Sequence, residues 1–157
     1  MNFRVRGLDP APFLPLYGLD DADLRRRRAR RCIVDAPHAY PERIELRDAE
    51  PGETLLLLNY EHQSADSPYR AAHAIYVREG ASVPHEYFDE VPAVMQRRPI
   101  SLRAFDAAGD MVEADLCDGR ALAPLIRRFL DRPRVAYLHA HYARYGCFAA
   151  RIERAMA

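Results

Sequence analysis

The chain alternates apolar and polar positions with a period of two in several short stretches and with a helical period in one. Phe3 and Val5 alternate with Arg4 and Arg6, which predicts a strand over Phe3–Leu8. Thr54–Tyr60 is an apolar run with four consecutive leucines that does not alternate, the signature of a central strand covered on both faces. Arg70–Arg78 reads as the next strand, and Arg31–Asp35 and Arg43–Leu46 as shorter ones, with loops through Pro37, Pro41 and Pro84–Pro92. Ile100–Phe105 and Met111–Cys117 flank Asp106–Asp110 and predict a β-hairpin with Gly109 at a left-handed position. Leu122, Leu125, Ile126, Phe129 and Leu130 recur at i, i+3, i+4, i+7 and i+8 and predict the principal amphipathic helix, about residues 121–131. A shorter Arg-rich helix is expected at about residues 20–31, with Asp20, Asp21 and Asp23 at its N-terminus and arginines toward its C-terminus, as the helix dipole prefers. Val135–Tyr142 reads as a strand, while Phe148–Glu153 fits a strand or a helix. The expected fold is α+β: a mainly antiparallel sheet with one principal helix packed on it, in a single domain spanning 1–157.

Composition narrows the function classes. The 157 residues carry 23 basic and 23 acidic side chains, 49% apolar and 29% charged residues, a globular balance with no net charge to draw polyanions. Every basic residue is arginine, so lysine chemistry is excluded: no Schiff base and no P-loop lysine. Any anion must be held by guanidinium forks, backbone amides or histidine. Arg25–Arg28 are consecutive and would point all round a helix, so they make no clean basic face and disfavour nucleic acid as a partner. No apolar run is long enough to span a membrane, and Met1–Arg6 carries no apolar leader. Three cysteines, Cys32, Cys117 and Cys147, form neither a disulfide framework nor a zinc spacing, and a reducing cytoplasmic setting is expected. The dinucleotide, P-loop, nucleophile-elbow and HExxH motifs are all missing.

The densest chemistry lies in Tyr137–Cys147. On a strand, His139 and His141 share a face with Tyr137, away from Leu138 and Ala140. Such an HxH pair can chelate a metal with His62 as third ligand, or act in acid–base chemistry. Cys147 is a candidate nucleophile whose placement depends on the turn before it. An even turn sets it beside Leu138 and Tyr142, and an odd turn or a bulge sets it beside the histidines. If the tail is helical, Cys147 starts the helix, near Arg144. Glu61, His62, Tyr69 and Arg70 gather at one end of the sheet if their strands pair. Arg103, inside a strand, either pairs with an acid or grips an anion.

Four blocks taken in order carry a resemblance: Leu57–His62, Ser67–Arg70 with Ala74–Arg78, Ser101–Asp106, and His139–Cys147. They resemble the bacterial domain-of-unknown-function family 1203 from about Phe3 to Arg154. Two departures stand out: Glu42 follows Pro41 where the family pattern has Cys, and Tyr142 and Tyr145 stand where it has Asn and Pro. The resemblance implies a compact bacterial single-domain protein and supplies no activity, substrate or cofactor.

The leading expectation is a pocket for a small anionic molecule, with His62, Tyr69, Arg70, Arg103, His139 and Arg144 as binding residues and no cofactor. If it is an enzyme, His141 is the acid–base group, Cys147 the nucleophile, and Arg70 or Arg103 the anion clamp. One alternative is a hydrolase or lyase using one divalent transition metal on His139, His141 and His62. Another is a non-catalytic homodimer or partner-binding module displaying Tyr87, Phe88, Tyr142, Tyr145 and Phe148.

Overall fold

The structure, a computed structural model, describes residues 1–156. Among the described residues, nine strands form two antiparallel sheets, joined by three short α-helices: β1 Phe3–Arg6, α1 Asp21–Arg26, β2 Ala29–Ile33, β3 Thr54–Gln63, β4 Ala71–Arg78, β5 Glu86–Phe88, α2 Ala93–Gln96, β6 Pro99–Phe105, β7 Met111–Asp118, α3 Leu122–Leu130, β8 Tyr137–Tyr142 and β9 Cys147–Arg154. The larger sheet has the order β5-β1-β9-β8-β6-β7, and the smaller has the order β2-β3-β4. This is the expected α+β class, with its antiparallel strands divided between two sheets.

Alternation decides which side each layer takes. On β8, Leu138, Ala140 and Tyr142 join Ile100, Leu102, Ala104, Ala150 and Ile152 in the main core. α3 closes that core with all five of its predicted apolar positions, Leu122, Leu125, Ile126, Phe129 and Leu130. A 3-10 turn at Gly119–Ala121 leads into α3, capped by the Asp118 carboxylate, which accepts from the Arg120 amide at 2.8 Å. The opposite side of the larger sheet meets the smaller one. Leu56, Leu58, Ile75 and Val77 pack with Phe148 of β9 in a second core. The leucine run of β3 is thus covered on both sides, since Leu55 faces a third cluster with Val34 and Ala49.

Three local expectations are corrected, and one open alternative is settled. α1 ends at Arg26, because Arg28 adopts φ +55° and the chain turns into β2 at Ala29. Pro84–Pro92 is not all loop, since Glu86–Phe88 forms an edge strand on β1. Arg43–Leu46 joins no ladder. Instead the buried Glu42 carboxylate accepts from the amides of Ile44 (2.7 Å), Glu45 (2.6 Å) and Arg78 (3.2 Å), which folds the segment into a turn. The tail is a strand, β9, lying between β1 and β8. The Gly109 hairpin forms as expected, with φ +86° at the glycine.

The Glu42–Leu46 turn is clamped from outside by Gly7. A Cβ on Gly7 would lie 1.9 Å from the Ile44 carbonyl oxygen, so only glycine allows the backbones this close. Gly7→Ala is therefore expected to cost about 1–3 kcal/mol, read as a lower urea midpoint with an unchanged slope.

Candidate functional site

Two adjoining regions carry the reactive side chains, one between the sheets and one in a cleft at their margin. Between the sheets, β8 presents His139 and His141 on the face away from α3, and β3 supplies His62. The His62 ring centroid lies 4.8 Å from that of His141 and 6.1 Å from that of His139. His62 also stacks on Phe148 at 5.5 Å and 10°. His139 and His141 are almost wholly buried, at 2% and 1% exposure. The grouping of these three histidines, read from the spacing on β8 and the end of β3, is present.

All three imidazoles are held neutral. Burial, the largest cause, pushes His62 down to about 4 and both His139 and His141 down to about 3. Arg103 adds positive charge near all three, Arg151 near His139, and His73 near His62 and His141. The His141 Nδ1 lies 2.9 Å from the Gly146 carbonyl, which can only accept. Nδ1 therefore carries the proton, and Nε2 keeps its lone pair. Among the described residues, that Nε2 and the Nδ1 atoms of His62 and His139 are buried without a hydrogen-bond partner. Arg103 stands opposite His139 on β6. It donates to Ser101 Oγ at 3.3 Å, and no ion pair to an acid forms among the described residues. Burial lowers its pKa. No group of three or more His, Cys, Asp or Glu side chains suited to a metal ion occurs among the described residues. The surrounding guanidinium groups favour an anion over a cation there.

Cys147 does not join the histidines. The turn from Ala143 to Gly146 is even, so Cys147 pairs with Tyr142 and faces the α3 core. The bulge in this hairpin lies farther along, between the Ala140 and His141 registers, too late to move it. A Cys147–His141 catalytic pair is therefore absent, for a reason set by turn length. Tyr69 and Arg70 also stand apart. Both are exposed, and Arg70 binds Glu61 at 3.1 Å and the Ser64 carbonyl at 3.3 Å. The aromatic group proposed for an interface divides: Tyr142 and Phe148 are buried, whereas Phe88 and Tyr145 are exposed.

Cys147 instead sits in a cleft of about 810 Å³ between β4, the Arg97–Pro99 segment, the His38–Arg43 segment and the turn before β9. Here is the residue that the sequence reading missed. Arg43 is 1% exposed, and its guanidinium donates from Nε to the Phe148 carbonyl at 2.8 Å, from one terminal nitrogen to the Pro41 carbonyl, and from the other to Cys147 Sγ at 3.1 Å. No carboxylate pairs with it among the described residues. Three of a guanidinium's five N–H groups are thereby used, leaving donors for something else. The Arg43 and Arg98 guanidinium carbons lie 5.0 and 5.4 Å from the Tyr142 ring centroid. The Tyr142 hydroxyl is buried without a partner among the described residues, and burial pushes it up to about 12. Arg144, a candidate from sequence, lines the rim together with Tyr145. Arg98 is already committed to Asp48 at 2.6 Å.

Fold and site together define an α+β protein of two antiparallel sheets, with a neutral histidine cluster between them and an arginine-based cleft beside it. The chain belongs to the DUF1203 family, described as a protein of unknown function, whose model matches residues 39–154. No curated protein and no solved structure matches it significantly. No helix among the described residues is long and apolar enough to cross a membrane.

The neutral histidines give a pH dependence with a definite sign. In the unfolded chain they protonate near the ordinary value of 6.5, but in the folded protein only near 3 to 4. The unfolded state thus binds more protons below 6.5, and stability falls as pH drops from there toward 3. Urea midpoints measured from pH 7 to pH 4 should decline steadily, and His62→Gln should flatten that decline.

Proposed function

We propose that this protein binds a small anionic molecule in the cleft floored by Arg43, Tyr142 and Cys147. The observation that carries the reading is Arg43, a guanidinium buried at 1% exposure with no acid to neutralise it among the described residues. A buried charge without a counter-ion is costly, and an incoming carboxylate or phosphate oxyanion relieves that cost while taking up the unused N–H donors. The Tyr142 hydroxyl offers a further donor on the floor. Arg144 at the rim adds positive charge at the entrance. The aromatic rings of Tyr40, Tyr76 and Tyr145 supply the apolar walls that ligand pockets commonly have. This reading moves the anion clamp from Arg70 or Arg103 to Arg43, and it needs no Cys–His pair.

Calorimetric titration at low ionic strength with inorganic phosphate and a series of small mono- and dicarboxylates tests it. Saturable binding is expected for at least one of them. Tyr142→Phe, which keeps the ring and removes the hydroxyl, should weaken that binding several-fold, and Arg43→Gln should weaken it at least tenfold, about 1.4 kcal/mol. Absence of binding across the series, or unchanged affinity in a folded Arg43→Gln protein, would overturn the reading.

A further inference from the structure

We infer that Cys147 is a nucleophile directed at small carboxylates bearing an electrophilic carbon next to the carboxyl group. The inference rests on the anion-binding reading of the cleft and deepens it. Its geometry comes from one nitrogen: the Arg43 terminal nitrogen that donates to Cys147 Sγ at 3.1 Å belongs to the same guanidinium that is free to hold the anion. An oxyanion seated on that guanidinium, at the usual charge-assisted distance of about 2.8 Å, lies only a few ångströms from the sulfur. Nucleophilic attack needs sulfur and carbon about 3–3.5 Å apart. The reacting carbon must then sit one bond from the carboxyl carbon, which sets the substrate class by size.

The surroundings fit such a step. Cys147 lines the cleft wall, although the residue is only 8% exposed and also borders the main core. The guanidinium beside it offsets the negative charge that an attacking sulfur carries. The Tyr142 hydroxyl, buried and unpartnered among the described residues, is a second and independent sign that the floor is built to receive a polar group. In a displacement, the sulfur pair forms the S–C bond, the leaving group departs with the C–X pair, and the thiol proton passes to water. No oxidant or reductant enters.

The test uses the full-length chain carrying Cys32→Ser and Cys117→Ser, which leaves Cys147 as the single thiol. Alkylation rates with iodoacetate and with the neutral iodoacetamide are measured by intact mass and divided by the rates for free cysteine. Iodoacetate should be favoured at least tenfold after that correction. Inorganic phosphate should slow iodoacetate selectively, and 3-iodopropionate, with its reacting carbon one bond farther out, should lose the advantage. Arg43→Gln should abolish the preference. If that variant does not fold, the comparison of the two reagents on the parent protein decides the matter alone. A corrected ratio near one, or no labelling of folded protein, would overturn the inference. Phosphate and acetate titrations of the parent protein separate the two failures. Anion binding without a reagent preference leaves the cleft reading standing and removes the nucleophile, whereas loss of anion binding in the parent protein removes both.

Discussion

The arrangement depends on one buried charge. Arg43 stands in the cleft at the margin of the two sheets, donating to the Phe148 carbonyl at 2.8 Å and to Cys147 Sγ at 3.1 Å. A guanidinium placed there needs partners, since an unpaired buried charge is among the most destabilising features a fold can carry. Its partners are a carbonyl at the start of β9, a carbonyl of its own segment and a sulfur. The Glu42–Leu46 turn is shaped to deliver it: the neighbouring Glu42 carboxylate holds three backbone amides and so is spent on the turn itself. Two adjacent charged residues thus do different work. One organises backbone, and the other reaches across to the opposite sheet.

The histidine cluster follows from the same layering. Where Leu56, Leu58, Ile75, Val77 and Phe148 meet, the join between the sheets is apolar. Farther along β3 and β8, imidazoles replace the leucines. They pack as aromatic rings: His62 meets the other two edge-on and stacks face-on on Phe148, which His139 and His141 meet edge-on, at the cost of ring nitrogens that lack partners. Neutral histidine suits that role because it behaves as a half-polar ring until a proton is forced on it. With Arg103 and Arg151 close by, the field discourages that proton further.

Strong periodic signals survived folding, and weak or non-local ones did not. The helix on Leu122–Leu130, the Gly109 hairpin and the leucine-rich strand each declared themselves because local pattern and burial agree there. The three-residue β5 strand has too few positions to show alternation, and α1 ended early because Arg28 takes a left-handed angle that no composition signal announces. At the site, the shared face of His139 and His141 was readable from strand period alone. The position of Cys147 was not, because it turned on one residue of turn length. Arg43 was invisible for a deeper reason: nothing local to Pro41–Leu46 tells that its guanidinium will meet a strand more than a hundred positions later.

That separation has a consequence for how the molecule comes to exist. β9 lies between β1 and β8 in the larger sheet, so β1 finds its inner neighbour only when β9 arrives. The floor of the cleft waits on the same event, since both the carbonyl and the sulfur that hold Arg43 belong to β9. Until then the emerging chain carries an unsatisfied arginine and an open sheet edge. Such long-range closure is slow and leaves incomplete chains prone to association. During synthesis the cleft is therefore completed only after β9 has emerged, and a chain that has one has already closed its larger sheet.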